Sequence, residues 1–335
     1  MKILIIGPYG IGNSIICLPM VKELRKKFKD ARIDVLTLLG STRELLNEVD
    51  DFSRLFNNIY YVKDPGTILS LRKEKYDCSI TAFPSARPHY NILSFIIGAS
   101  MRIGSVYPDN NLFRVSFFNT VNVPVVIGIH DVYQNINLLQ SFGVNYTKVS
   151  DKMNQSILAL KKKRKVIGFH TGSKKEGSFK RWGNANFIEL IRLISSQYKK
   201  YRIRLFFGPH EEEDVHYFVQ KLKGLPVEVV TNRTIKEIIK EINECRVFIS
   251  NDSGLMHLAA FLGCYSVSIM GPSDFRRTGP FTRNKVIVYS DIACRPCSHT
   301  YTISSHRFEC LYETRRCLEE VKPQEVFLKV QKELR

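Results

Sequence analysis

Val247-Phe248-Ile249-Ser250-Asn251-Asp252-Ser253-Gly254-Leu255-Met256-His257-Leu258-Ala259-Ala260 changes character twice over its length. Its opening residues are apolar or small, as a strand covered on both faces requires. A polar turn follows, and then an apolar run resumes. Asp252 or Ser253 suits a helix N-cap, and Gly254 lets a phosphate approach the backbone. His257 stands four residues after Ser253, on the same helical face, within reach of the same anion. The stretch predicts a strand at Val247–Ser250 and a helix starting near Ser253, joined by a loop able to hold an anion.

The same alternation extends to both sides. Upstream, strands are expected at Val166–Phe169, Ile203–Phe207 and Val227–Val230. Helices are expected at Asn184–Lys200, Glu211–Lys223 and Thr234–Asn243. Tyr265–Met270 makes a fifth strand. Such an order builds an open parallel sheet with helices on both faces, and its ligands sit at the carboxyl ends of the strands. His170-Thr171-Gly172-Ser173 ends one strand with small hydroxyl residues around a glycine, and Lys180-Arg181-Trp182 follows it. A lysine there can neutralise a diphosphate, while Trp182 can equally be a packing anchor. Gly271-Pro272-Ser273-Asp274 ends another strand, followed by Arg276 and Arg277. Several loops of one sheet thus carry groups suited to a nucleotide diphosphate.

The N-terminal part repeats the pattern. Lys2–Ile6 is apolar after its lysine, Val21, Leu24 and Phe28 mark a helix over Ser14–Lys29, and Ile33–Thr37 and Cys78–Phe83 are further strands. The loop Gly7-Pro8-Tyr9-Gly10-Ile11-Gly12-Asn13-Ser14 has neither the G-x-G-x-x-G spacing of dinucleotide enzymes nor the G-K-[ST] ending of a P-loop. It is either a ligand loop or a tight turn with Asn13 as N-cap. Two domains are expected, 1–155 and 156–335. The polar stretch Ser150–Lys165, ending Lys161-Lys162-Lys163-Arg164-Lys165, reads as a solvated connection between them.

The chain has 335 residues, 50 Lys and Arg against 32 Asp and Glu, and a net charge of +18. That surplus calls for an anionic partner: nucleic acid, a membrane surface or a phosphorylated substrate. No apolar run approaches the roughly 20 residues of a membrane span. The N-terminus lacks a signal peptide, so a cytoplasmic location is expected. No helix-turn-helix, finger or RNA-binding aromatic motif accompanies the charge, so nucleic acid is not the expected partner.

Gly10-Ile11-Gly12-Asn13, Met101-Arg102-Ile103-Gly104, His130, the two loops at Thr171 and Lys180, and above all Asn251–Ala260 with Gly271-Pro272-Ser273-Asp274 give the chain a family likeness. It resembles the heptosyltransferases (glycosyltransferase family nine) of bacterial lipopolysaccharide synthesis. The resemblance implies a GT-B fold: an α/β chain of two Rossmann-like, doubly wound domains facing across a cleft, the first for acceptor and the second for donor. It implies transfer with inversion and without an obligatory metal. The implied donor is ADP-heptose and the implied acceptor an anionic lipid-linked glycan, with peripheral contact at the cytoplasmic face of the inner membrane. Asn13, Lys180 and Asp252 would stand at the reacting bond. Lys180 would bind the diphosphate, and Thr171, Ser173, Ser253, Gly254, Leu255 and His257 would cradle it. Asp252 would touch the donor sugar. Glu212, within Glu211–Glu213, would hold the ribose. Gly10, Gly12 and Asn13 would form the acceptor-side loop.

One position departs from the family pattern. Asn13 stands where the family carries the aspartate taken as general base, and an amide cannot accept the acceptor's proton at neutral pH. Asp131 or Asp109 could serve instead, a late proton transfer could need little base, or the chain could bind donor without turning it over. Finally, Cys294, Cys297, Cys310 and Cys317, with His299 and His306 between them, are spaced as candidate ligands of a structural zinc. Partly buried thiols are the alternative.

Overall fold

The computed structural model describes residues 1–7, 10–108, 112–149, 156, 159, 163–173, 175–209, 211–298, 310 and 312–335, the side chains of Asp51, Phe113, Lys175 and Glu176 excepted. Described residues 1–149 form one compact unit and described residues 156–335 another.

The first unit holds strands β1 (Lys2–Ile6), β2 (Arg32–Thr37), β3 (Asn58–Tyr61), β4 (Cys78–Thr81), β5 (Met101–Val106) and β6 (Val121–Pro124). Between them run helices α1 (Ile11–Lys27), α2 (Gly40–Glu48), α3 (Asp50–Ser53), α4 (Thr67–Lys73) and α5 (Pro88–Ile97), and α6 (Asp131–Asn137) follows. The second unit holds β7 (Val166–His170), β8 (Arg202–Phe206), β9 (Val227–Val230), β10 (Val247–Asn251), β11 (Tyr265–Ile269) and β12 (Lys285–Val288). Its helices are α7 (Asn184–Gln197), α8 (Glu212–Lys221), α9 (Ile235–Glu244), α10 (Gly254–Phe261), α11 (Phe275–Thr278), α12 (Arg316–Glu319) and α13 (Pro323–Leu334).

Each unit is one parallel sheet. The strand orders are β3-β2-β1-β4-β5-β6 and β12-β11-β10-β7-β8-β9. Both are doubly wound, with the order reversing between β1 and β4 and between β7 and β10. Crossover connections leave a crevice at such a reversal, on the carboxyl side, where neighbouring loops diverge. Both units are therefore built to hold ligands at the loops after these strands.

The central strands are what the sequence requires of them. Every residue of β7 and β10 is buried, and all of β1 after Lys2. The core of the second unit gathers Phe169, Phe187, Ile191, Ile203 and Ile249 around Trp182, with Val326, Phe327 and Val330 of α13 closing it. The N-terminus of α9 shows how sharply local sequence can fix an end. Thr234 caps it, and Glu237 reaches back to the Thr234 backbone, a reciprocal capping box.

Some expectations change. The second sheet gains a sixth strand, β12, beyond the five expected. Asn13 is not the N-cap of α1. Gly10 holds that position with φ +85°, a backbone state open to glycine, and places Asn13 inside the first turn. The expected connection at 150–165 lies largely outside the described residues, and its end is docked rather than solvated. Lys163 Nζ donates to the Asn243 carbonyl at 2.8 Å, to Asn243 Oδ1 at 2.9 Å and to the Leu262 carbonyl at 2.6 Å. Among the described residues no helix is long and apolar enough to cross a membrane.

Candidate functional site

The reversal in the second sheet brings the ends of β7 and β10 side by side, and their loops are stitched together. Asn251 Nδ2 donates to the Thr171 carbonyl at 2.6 Å. His170 Nδ1 lies 2.9 Å from Ser253 Oγ. Ser253 caps α10, accepting from the Met256 N–H. The N–H groups of Gly254 and Leu255 lie in the first turn, where no intrahelical acceptor exists and the helix dipole favours an anion.

Lys180 arrives from the segment between β7 and α7, and its neighbour Trp182 explains why it stays in place. The Trp182 backbone N–H donates to Asn251 Oδ1 at 3.0 Å, and its indole N–H donates to the Val321 carbonyl at 2.8 Å. Trp182 is thus an anchor in the core, two residues from Lys180. Lys180 Nζ meets Asp252 Oδ2 at 2.9 Å, with side chains only 12% and 10% exposed. The same oxygen accepts from Ser273 Oγ at 2.6 Å, so the loop after β11 joins the site. Sequence had placed Ser273 in a promising loop without a role, because only the fold brings it to Asp252.

Two buried histidines flank this pair. Burial drives the His257 pKa down to about 4, with Lys180 and Lys285 pushing the same way and Asp252 opposing. Burial, then the Arg181 charge, does the same to His170. Both imidazoles are neutral at pH 7 and serve as hydrogen-bonding groups rather than cations. Thr171 is buried, and its hydroxyl meets no acceptor or donor among the described residues. Such an atom calls for a partner from outside.

Not every expected residue is equally placed. The Ser173 hydroxyl donates to the Gly177 carbonyl at 2.8 Å and accepts from Arg181 Nε at 3.2 Å, so it braces its own loop. In the acidic stretch the buried carboxylate is Glu211, while Glu212 is exposed on the first turn of α8. Glu211 accepts from the Gly208 N–H at 2.7 Å and pairs with Arg181 at 3.3 Å. Burial raises its pKa. A β-carbon on Gly172 would overlap this carboxylate, which is why the loop needs glycine there. Arg181, also bound to Asp214 at 3.0 Å, ties β7, α7 and α8 together.

In the first unit, Gly10, Gly12 and Asn13 stand at the end of β1, at that sheet's own reversal. Gly10 N–H donates to Thr42 Oγ1 at 3.0 Å and Ser14 Oγ to the Gly10 carbonyl at 3.0 Å. Asp131 is buried in the first turn of α6. Asn135 fastens that turn to the end of β4, accepting from the Phe83 N–H at 2.9 Å and donating to the Asp131 carbonyl at 3.0 Å. Asp131 therefore belongs to the region of the reversal. Asp109 lies outside the described residues.

Cys294, Cys297, Cys310 and Cys317 line one cavity of about 590 Å³. The Cys317 thiol is pushed up to about 11, by burial first and then by the neighbouring thiols. The zinc expectation is not supported: among the described residues no three His, Cys, Asp or Glu side chains converge on a point where an ion could sit. The four thiols are spread along a cavity wall instead. His299 and His306 lie outside the described residues.

The family model of glycosyltransferase family 9 (heptosyltransferase) matches residues 67–306. The chain belongs to that family. It is 28% identical over 334 residues to lipooligosaccharide heptosyltransferase 2 of Campylobacter jejuni subsp. jejuni serotype O:2, covering 97% of this chain and 96% of that one. It is 24% identical over 302 residues to lipopolysaccharide heptosyltransferase 3 of Escherichia coli, covering 82% and 85%. In fold it is similar to the E. coli ADP-heptose lps heptosyltransferase II, with a TM-score of 0.75, 20% identity and coverage of 100% and 98%. The protein is a glycosyltransferase, and its α/β architecture of two doubly wound parallel sheets is that of its structural neighbours.

Proposed function

We propose that this glycosyltransferase moves heptose from ADP-heptose onto a lipid-linked glycan of the lipopolysaccharide-core type, with inversion, at the cytoplasmic face of the inner membrane. The observation that carries the donor half is the meeting of Lys180, Asp252, Ser253 and the unpartnered Thr171 hydroxyl at one sheet reversal. A relative's structure carries ADP and another names ADP-heptose, which supports the adenine donor.

In this reading the diphosphate lies against the first turn of α10. The N–H groups of Gly254 and Leu255 and the Thr171 hydroxyl bind its oxygens, and Lys180 neutralises the charge that grows as the glycosidic bond breaks. Asp252 orients Lys180 and accepts from a sugar hydroxyl. Neutral His257 lies beneath as a hydrogen-bonding partner without adding a buried cation. Glu211, one place before the expected Glu212, is the better candidate for the ribose hydroxyls. The acceptor oxygen attacks the anomeric carbon from the face opposite the diphosphate, ADP leaves, and the acceptor proton passes to a base. Asn13 cannot take it, so Asp131 is the proposed acceptor of that proton, with Asn13 holding the attacking hydroxyl by hydrogen bonds.

A thermal-shift series with ADP, UDP, GDP, CMP and ADP-heptose tests the donor assignment, since a ligand bound only by the folded state raises Tm. A selective rise with ADP and ADP-heptose is expected, followed by transfer to heptose-deficient lipopolysaccharide. A selective rise with another base would move the chain to a different donor. No rise at all would overturn the site. Asn13 favours one second reading, a donor-binding protein without turnover, which predicts ADP-heptose binding and no transfer.

A further inference from the structure

The helix α5 is apolar on its outward face as well as on its inward one, where Tyr90 and Ile97 join the core. A helix laid on a sheet normally turns apolar side chains inward and polar ones outward. Beside Tyr90 and Ile97, α5 also buries Asn91 and Ser94, each with an internal partner: Asn91 Nδ2 donates to the Arg114 carbonyl at 2.9 Å, and Ser94 Oγ lies 2.8 Å from Ser79 Oγ. Outward it presents Ile92, Phe95 and Ile96, 38%, 48% and 41% exposed. Their spacing puts them on one face. The apolar surface does not end with the helix. Phe95 stacks on Phe118 with ring centroids 4.4 Å apart, and Phe118 meets Phe117 at 4.6 Å. Phe117 is 66% exposed.

The surroundings of this face are cationic. The Arg102 guanidinium lies 5.7 Å from the Phe95 ring centroid. Arg72 of α4 donates to the Ile96 carbonyl at 2.8 Å and is exposed. Across residues 78–130 the sequence has Arg87 and Arg102 outside the core but Asp109 as its only acidic residue, Arg114 being buried.

We propose that the α5 face, Ile92, Phe95, Ile96 and Phe117 within a rim of Arg72 and Arg102, docks the first unit on an anionic lipid surface. Apolar side chains at a shallow depth with arginines beside them match the two layers of such a surface, acyl chains below and phosphates above. Charge complementarity selects lipid over a second copy of this chain, because self-pairing would set these arginines against one another in an isologous contact. The proposal deepens the lipid-linked acceptor reading, which gives the docking its purpose, and stands on residues remote in sequence from the donor loops.

The test uses the full chain with vesicles of phosphatidylcholine alone or mixed with phosphatidylglycerol. Co-sedimentation is expected with the mixed vesicles only, and it weakens as salt rises. The double variant Phe95→Ser, Phe117→Ser lowers partitioning about tenfold or more. Both side chains are substantially exposed, and an unchanged thermal shift with ADP shows that the variant is folded with its donor site intact. Phe117→Trp supplies a second readout. The chain's sole tryptophan, Trp182, is buried, so a blue shift of emission on adding mixed vesicles reports position 117. Equal partitioning of wild type and double variant would overturn the proposal, as would binding to neither vesicle. Loss of concentration-dependent self-association in the double variant, without change in vesicle binding, would assign the face to a second copy instead. A chain that shows the ADP shift but no vesicle binding would sink the docking face and leave the donor site standing. The reverse would sink the donor site alone.

Discussion

Replacing Lys180 by alanine separates two roles that its position combines. Its Nζ lies 2.9 Å from Asp252 Oδ2, and both side chains are nearly buried. Alanine removes the Lys180 charge from Asp252, whose Oδ2 still accepts from the Ser273 hydroxyl at 2.6 Å. Breaking a buried pair from one side costs about 3–5 kcal/mol, and the residual exposure here puts the loss at or below the lower end. The lost neutralisation of a leaving diphosphate adds a separate kinetic penalty of about 3 kcal/mol, or roughly a hundredfold in kcat/KM. The second variant, Lys180→Ala with Asp252→Asn, removes the stranded charge. If Lys180 acts on the diphosphate, this double variant regains Tm but stays well below Asp252→Asn alone in kcat/KM. Donor turnover by product release and melting curves on the same preparations read the two quantities. A double variant that regains Tm and equals Asp252→Asn alone in kcat/KM would refute the diphosphate role and leave Lys180 as a strut for Asp252.

Three further expectations follow from the same geometry. Asp131→Asn should cut kcat by about a hundredfold or more while leaving the ADP thermal shift unchanged, whereas Asn13→Asp should restore activity to that variant by returning a carboxylate to the end of β1; transfer to an acceptor glycan measures both, and full activity of Asp131→Asn would exclude it as base. Gly172→Ala should lower stability by about 1–3 kcal/mol, because the new methyl displaces a Glu211 carboxylate already held by Gly208 and Arg181; denaturant melts check it, and an unchanged midpoint would contradict the packing. The histidines set an acid limit. With folded pKa near 4 against the ordinary 6.5, His170 and His257 take up protons in the unfolded chain first, so stability is full above about pH 6.5 and falls as pH drops toward 4, by on the order of 3 kcal/mol for each at the limit. Tm should fall over that window, and less steeply in His257→Asn.

The second sheet was readable because its central strands are unbroken apolar runs ending in glycine and hydroxyl loops. Strands that lack such a run were not. β3 and β12 are edges with half-exposed residues, and β6 ends in Pro124. β5 is interior, yet Arg102 and Gly104 interrupt it. The glycine is there because the Asn119 side chain occupies the space a β-carbon would fill. Distances in sequence, not chemistry, hid these reasons. The same holds within the site. A capping serine and a loop lysine announce themselves locally, whereas the burial of Glu211 rather than Glu212, and the engagement of Ser173 rather than Thr171, depend on Gly172, Arg181 and Gly177 closing around them.

Asn13 shows what that difference means for function. In the sequence it was a missing carboxylate in an otherwise matching loop. In the fold it is the third residue of α1, placed by the φ of Gly10 at the reversal of the first sheet. An amide at that position cannot accept a proton. A side chain held there by backbone geometry can still orient a hydroxyl. We propose that the proton leaves through a group fixed by a different element: α6, tied to the end of β4 by Asn135, holds the buried Asp131. In that proposal one residue's two tasks are divided between Asn13 and Asp131, which keeps the loop, the acceptor contact and the chemistry compatible with a single amide substitution.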